Sequence, residues 1–515
     1  MTESQPASSN TDFKASSPPV VQEFSIEGLF GYRTVRLYSE YAATVLIARN
    51  GSGKTTLLAA LDAFLKTRFI RLANLEFSTI RCRFGHVDQE LVLHRSDIID
   101  ALSLTQKSEI AATAIQYGIN STALQDFVGD EYILVSGNTS DLMTSEVFRS
   151  VYNKTSSIAE AKKIFDRLSN ALFSKNKNIM SIIKSVREAL RGIEVVYLPT
   201  YRRIELPLEL EADGVSRQVG RRSSSAKIRV PPRSLFTADI QFGLSDISRR
   251  LSELNQEILF ESNAKYREIS ANIINELIDG TFDRDDPASD DIPDRESLML
   301  FFSRLKEGPR YGPFQDVAIP KIDKIYGETD LSYGSNKFLF YFLGKLNKPI
   351  EATRGIESPV EDFILSCNKY LCSLDLSTSL SWGVVPDIRH SDAKELRLNR
   401  KNMMVEVHSI SPDRKISLDA LSSGEKQMIS LFAKIYLYKK QKIVLIDEPE
   451  LSLSIDWQKQ ILVDVISAPS CQQVVAITHS PFVFDNELEP YARPLEVIVD
   501  PLAMPADVDE GEISE

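Results

Sequence analysis

Apolar and polar side chains alternate with a period of two just after residue 20. FSIEG and TVRLY each place every second residue on one face, as half-buried strands do. The next run, ATVLIA at Ala43–Ala48, has only Thr44 among apolar residues and predicts a buried strand covered on both faces. It ends in a glycine-rich turn, after which TTLLAALDAFLK switches to a helical period. RCRFGHVDQELVLHR reads as an antiparallel hairpin, Ile158–Leu172 and Ile179–Leu190 as helices, and Glu194–Leu198 as a strand that completes a first lobe.

Beyond about Ile204 the pattern changes. Leu244, Ile247, Leu251, Leu254 and Ile258 recur at spacings of 3, 4, 3 and 4, a heptad seam long enough for a helical hairpin or short coiled coil. The acidic stretch DGTFDRDDPASDDIPDRE reads as a solvated loop, and Val360, Phe363, Ile364, Cys367 and Leu371 mark a further helix. Strand and helix patterns resume at MMVEVHSI. The expected organisation is a disordered Ser/Pro-rich tail over 1–20, an N-terminal lobe over 21–203, a mainly helical insertion over 204–399, a C-terminal lobe over 400–499 and an acidic tail over 500–515. No internal repeat is evident.

Composition changes this picture little. A chain of 515 residues suits an enlarged α/β core with an inserted domain, and 43% hydrophobic with 26% charged residues is globular. The net charge of -12 argues against a surface coated for nucleic acid, yet SRQVGRRSSSAKIRVPPR leaves room for a local basic patch. Cys82, Cys367, Cys372 and Cys471 are scattered without the spacing of a zinc site, which suits reduced thiols. The first residues lack the apolar core of a secretion signal, and no apolar run has membrane-spanning length. A cytoplasmic protein is expected.

The chemistry begins where the ATVLIA strand ends. Ala48-Arg49-Asn50-Gly51-Ser52-Gly53-Lys54-Thr55 lies between a buried strand and an amphipathic helix, the setting of a phosphate-binding loop. Its glycines let successive backbone N–H groups converge on phosphate oxygens at a helix N-terminus. In that setting Asn50, Gly51, Ser52, Gly53, Lys54, Thr55 and Thr56 are the nucleotide-binding candidates, with Lys54 reaching the β- and γ-phosphates and the Thr55 hydroxyl on Mg²⁺. Ala48 stands where the pattern has its first glycine, which is compatible provided its φ is negative.

A second apolar strand, Ile443–Ile446, ends in Asp447-Glu448-Pro449. A carboxylate at such a tip lies beside the phosphate loop, so Asp447 is the metal candidate and Glu448 the base that orients and deprotonates water. Leu421-Ser422-Ser423-Gly424-Glu425-Lys426-Gln427 stands immediately before the helical run MISLFAKIYLYKK. It resembles the signature motif of ABC ATPases in the form found in SMC-like and RecF-like members. Alone, the segment also reads as a serine-capped helix.

That resemblance implies a split-lobe P-loop core of the α/β class. It further implies that Ser422, Ser423, Gly424 and Glu425 meet the γ-phosphate of ATP held by a second copy, so that Mg²⁺ and ATP join a homodimer. Val474–Ile477 followed by Thr478-His479-Ser480-Pro481 resembles the family's switch-histidine loop, making His479 a catalytic candidate beside Glu448 and Lys54. Glu450–Ser454 occupies the place of the D-loop. The glutamine of the Q-loop has no clear counterpart: Gln89 is one choice, and the region after Leu198, Pro199-Thr200-Tyr201-Arg202-Arg203, carries arginines instead. Tyr32 and Arg33 are candidates for adenine or phosphate contact.

The phrases YLPTYRRIE, LSSGEKQ, LIDEPELSL and THSPF resemble the stand-alone ATPases of bacterial antiphage systems, AriA of PARIS and PtuA of Septu and retrons. The implied role is a sensor or regulatory scaffold that controls a separate toxic effector such as a nuclease. The 36 residues after His479 (515 minus 479) hold no second acidic cluster on predicted strands, so a nuclease is expected as a partner. The alternative is a DNA-repair or chromosome-maintenance ATPase gripping DNA across its dimer, with Arg202, Arg203, Arg217, Arg221, Arg222, Lys227, Arg229 and Arg233 as phosphate contacts. A membrane partner is not expected.

Overall fold

The computed structural model describes residues 14–49, 51–87, 89–105, 109–132, 142–143, 145–174, 176–199, 235, 244–280, 292–307, 322, 326, 337–372, 393–417 and 420–500. The chain divides into two compact units, Met1–Gln241 with Lys440–Glu515, and Phe242–Lys439.

In chain order the strands are β1 (Val21–Leu29), β2 (Arg33–Tyr38), β3 (Ala43–Ile47), β4 (Thr79–Phe84), β5 (Leu91–His94), β6 (Ile193–Leu198), β7 (Lys394–Asn399), β8 (Met404–Ser409), β9 (Arg414–Ile416), β10 (Gln441–Asp447), β11 (Cys471–Thr478), β12 (Ala492–Pro494) and β13 (Glu496–Val499). Five helices frame them: α1 (Lys54–Leu65), α2 (Leu244–Ile278), α3 (Asn347–Leu371), α4 (Ser423–Tyr436) and α5 (Ile455–Ser467).

The first unit is built on two sheets. One is parallel throughout, in the order β12-β3-β11-β10-β6, and the other is antiparallel, in the order β13-β2-β1-β4-β5. β3 and β10 contain the buried runs of the sequence and sit inside the parallel sheet, buried except at Ile47 and Gln441. The alternating runs became β1 and β2. One core joins both sheets to α1 through Leu57, Leu58, Leu61 and Phe64. Four parallel strands end nearly level, because Ile47 pairs with Thr478, Asp447 with Ile477 and Ile446 with Leu198. That common edge carries the glycine loop after β3, Asp447 and Glu448 after β10, and His479 after β11, the edge at which an open parallel sheet binds its ligands.

The expected tail is shorter than 1–20. Residues 14–20 pack on the first unit: Ala15 is fully buried, Lys14 Nζ donates to the Ala468 carbonyl at 2.9 Å, and the buried Gln473 Oε1 accepts from Val20 and Val21 N–H at 3.0 and 2.8 Å. Serine and proline content concealed a segment held by contacts 450 residues away in sequence.

The second unit is helical around α2, with an antiparallel β7-β8-β9 sheet. α2 is one continuous helix of 35 residues, on the order of 50 Å long at 1.5 Å per residue. No glycine or proline interrupts it before Gly280, so the heptad seam has no place to turn. Its buried side runs on from Leu251, Leu254 and Ile258 to Ile269 and Ile273. α3 packs against α2, α4 and β7, burying Val360, Phe363, Ile364, Cys367 and Leu371. The side chains of Arg304 and Glu357 are both 2% exposed and ion-paired, and Arg400 holds the other Glu357 oxygen at 3.0 Å. The sequence-based C-terminal lobe of 400–499 is thus shared between the units, since β8, β9 and α4 belong to the helical one.

Burial holds the Cys82 and Cys367 thiols well above their ordinary range and pushes Cys471 up to about 12. Such thiols are packing groups rather than nucleophiles. Among the described residues no helix is long and apolar enough to cross a membrane.

Candidate functional site

Backbone conformation explains the glycines of the loop between β3 and α1. Gly51 and Gly53 have φ of 78° and 92°, where a side chain is strained. A Cβ at Gly53 would also stand 3.4 Å from Leu29 Cδ2. Ala48, by contrast, is not among the residues with positive φ, so the missing first glycine costs the loop nothing. Asn50 and the arginines Arg202, Arg203, Arg217, Arg221, Arg222, Arg229 and Arg233, with Lys227, lie outside the described residues.

Gly53 caps α1 without a side-chain acceptor, leaving the first-turn N–H groups facing the loop. Thr55 and Thr56 are half-buried in that turn. The Ser52 hydroxyl is buried without a hydrogen-bond partner among the described residues, as a group suited to an incoming phosphate oxygen would be. Arg33 flanks the loop, donating from Nη1 to the Gly51 carbonyl at 2.7 Å. Its guanidinium lies 4.9 Å from the Phe30 ring and 5.4 Å from the Tyr32 ring. Tyr32 and Arg33 therefore stand beside the phosphate loop.

Lys54 is only 5% exposed. Its Nζ lies 3.1 Å from Glu448 Oε1 and contacts His479 Nε2, and His479 Nε2 is 3.3 Å from the same Glu448 oxygen. Three residues far apart in sequence thus meet at one point of the sheet edge. Glu448 has φ of 55°, a left-handed conformation that costs a residue with a Cβ about 1–2 kcal/mol. Its N–H still donates to the Ile477 carbonyl at 2.8 Å, so the backbone turns off the sheet immediately after this bond. Asp447, 2% exposed, is the last residue of β10.

Sequence reasoning placed the loop after these acids but missed how it is held. Glu450 Oε1 accepts the N–H of His479 at 2.8 Å, and Gln458 Oε1 accepts the Ser480 hydroxyl at 2.7 Å. The partners are separated by 29 and 22 residues, and no local spacing signals them.

The signature segment lies in the second unit. Ser422 Oγ accepts the Glu425 N–H at 3.3 Å, while Glu425 Oε2 accepts the Ser422 N–H at 2.6 Å, a reciprocal capping box on α4. Lys394 Nζ sits 2.9 Å from both Glu425 oxygens. Gly424 is buried and Ser423 half-buried, while Ser422 is exposed. The helix N-terminus is therefore rigid and faces solvent at Ser422. Gln89 is exposed in the β4–β5 connection, and of the alternative Q-loop region only Pro199 is described.

Among the described residues no group of three or more His, Cys, Asp or Glu side chains is arranged to hold a metal. A magnesium ion does not require one, since it takes one or two protein oxygens with phosphate and water. The Thr55 hydroxyl and the buried Asp447 carboxylate are oxygen donors of the right kind.

Residues 385–485 match the family model described as "AAA domain, putative AbiEii toxin, Type IV TA system". No match is found among curated proteins. Among solved structures the chain is similar to the Smc head domain with an extended coiled coil bound to the C-terminal domain of ScpA from Pyrococcus furiosus, at 11% identity and a TM-score of 0.32, over 93% of this chain and 96% of that one. It is similar also to the Smc head domain with a coiled coil and joint from Pyrococcus yayanosii, at 14% identity and a TM-score of 0.29, over 93% and 97%. The chain is an α/β protein in which the mainly helical unit Phe242–Lys439 falls in sequence between β3, which leads into the glycine loop, and β10, which ends in Asp447.

Proposed function

We propose that the chain binds and hydrolyses ATP with Mg²⁺, dimerises around it, and serves as the regulatory scaffold that restrains or releases a separate toxic effector. The observation that carries the ATPase reading is the meeting of Lys54, Glu448 and His479 at the end of the parallel sheet, beside the left-handed glycines of the loop. The Lys54 ammonium is paired with Glu448 at 3.1 Å. An arriving triphosphate offers Lys54 a stronger acceptor and sets the Glu448 carboxylate free to take a proton from water. His479, already in contact with both, then hydrogen-bonds on the γ-phosphate side. A bound magnesium ion would neutralise developing phosphate charge, held by Thr55 and Asp447. Steady-state phosphate release from ATP with excess Mg²⁺ tests the reading, and its absence in the full-length protein refutes it.

The dimer reading is supported by the signature segment, which is closed by the capping box on α4, leaves Ser422 exposed, and lies in the other unit from the glycine loop. Assigned to the γ-phosphate of a second copy, it makes ATP the joint between protomers. Ser422→Arg is expected to bind ATP as the wild type does but to remain monomeric on size-exclusion chromatography with ATP and Mg²⁺. Loss of nucleotide binding in that variant, or normal dimers, would refute the composite site.

The effector reading is supported by the phrases shared with antiphage ATPases and by a matching family whose description includes a toxin of a type IV TA system. Co-purification of a toxic partner with the expressed chain, released on nucleotide turnover, is the expected result. A chain that leaves growth unaltered beside every candidate neighbour would defeat it.

A further inference from the structure

Two side chains that the phosphate chemistry does not use bind the loop after the strand-tip acids to the histidine loop. Glu450 Oε1 accepts from the His479 N–H at 2.8 Å and from the Ser480 N–H at 3.3 Å. Gln458 accepts the Ser480 hydroxyl at 2.7 Å and donates from Nε2 to the carbonyls of Leu453 and Glu450 at 3.0 and 3.4 Å. Between Glu448 and Ser452, both at positive φ, the backbone is closed further by the Leu451 N–H donating to the Glu448 carbonyl at 3.3 Å.

β11 ends at Thr478, whose partner Ile47 is the last residue of β3, so sheet pairing stops one residue before the histidine. The Ser480 N–H is shared with Thr478 Oγ1 at 2.9 Å. The peptide from which the imidazole projects is held at both ends, its Thr478 carbonyl by the Ala48 N–H at 3.4 Å and its His479 N–H by Glu450 at 2.8 Å, and the Glu450 bond is the shorter of the two. A carboxylate accepting backbone N–H makes a charge-assisted bond, stronger than a neutral one. The far end of the same residue reaches Lys54 and Glu448.

We propose that Glu450 is the positioning residue of His479: its carboxylate fixes the backbone at residue 479, aims the imidazole at Lys54 and Glu448, and transmits movement of the Glu450–Ser454 loop to that ring. The effect on turnover rests on the ATPase reading above; the effect on the ring does not.

The chain has five histidines, so a protein carrying ¹³C at the histidine Cε1 gives five signals, and His479→Gln identifies the one that matters. Glu450→Ala is expected to shift the His479 signal while the other four stay in place. With nucleotide affinity within about twofold of wild type, turnover should fall roughly tenfold or more, the cost of a misplaced group. Glu450→Gln keeps a carbonyl acceptor and should restore both the signal and most of the turnover. In a His479→Gln background, Glu450→Ala should cost nothing further, because the two act through one group. Should the alanine protein not fold, Glu450→Ser, which is too short to reach the His479 N–H, is judged by the same criteria. An unmoved His479 signal, additive losses, or failure of the glutamine to restore the ring would overturn the proposal. A shifted signal in a protein whose wild type releases no phosphate from ATP would instead refute the ATPase reading and leave the positioning role standing.

Discussion

Lys54→Ala abolishes useful ATP binding: the expected dissociation constant rises at least about a hundredfold, the loss of roughly 3 kcal/mol from a charge-assisted contact to phosphate. Lys54 is the buried cation at the centre of the cluster, with Glu448 and His479 as its neighbours. No other lysine or arginine side chain is placed against Glu448 and His479 among the described residues, since Arg33 is committed to the Gly51 carbonyl and the flanking aromatic rings. Alanine keeps the helix, because α1 is packed through Leu57, Leu58, Leu61 and Phe64 rather than through its first residue. Glu448 is left with His479 at 3.3 Å and with partial solvent access, so the fold tolerates the change. Titration with a fluorescent ATP analogue, beside a thermal melt showing a folded protein, makes the measurement. Wild-type affinity in the folded variant would show that the phosphate site lies elsewhere.

The site was legible to the extent that it is local. A glycine loop between an apolar strand and a helix, two acids at a strand tip and a histidine at another each announce themselves within eight residues. Their convergence comes from the sheet order, in which β11 lies between β3 and β10, so that the glycine loop, the histidine and the acids leave three successive strands at one edge. What stayed hidden is what depends on distant contacts. The left-handed turn at Glu448, the Glu450 bond to the His479 backbone and the Gln458 bridge have no periodicity and no spacing to betray them. The packing of residues 14–20 is the same case, a polar composition overruled by Gln473 and Ala468. The long helix was half legible. Its heptad seam was plain from Leu244 to Ile258, but the buried row reaches Ile273 through Ser262, a buried polar residue that interrupts the apolar pattern.

The second large effect belongs to Glu448, and the left-handed backbone sharpens the expectation. A non-glycine residue held at φ of 55° at the tip of β10 is kept there by its surroundings, here the bond from its N–H to the Ile477 carbonyl and the side-chain contacts to Lys54 and His479. Glu448→Gln preserves the length and an acceptor for Lys54 while removing the group able to take a proton. ATP binding should therefore persist, turnover should fall by about a hundredfold or more, and the ATP-bound dimer should accumulate. Asp447→Asn, one residue earlier and 2% exposed at the end of the sheet, should act differently, weakening nucleotide binding in the presence of Mg²⁺ and leaving Mg²⁺-free binding close to wild type. The two variants together separate a base from a metal ligand. In cells, a dimer that cannot turn over should fix the effector in one state, so that toxicity changes while the amount of protein does not. Phosphate release by Glu448→Gln at a rate near wild type, with excess ATP and Mg²⁺, would remove Glu448 from the mechanism and leave His479, 3.3 Å away, as the group to test for the base.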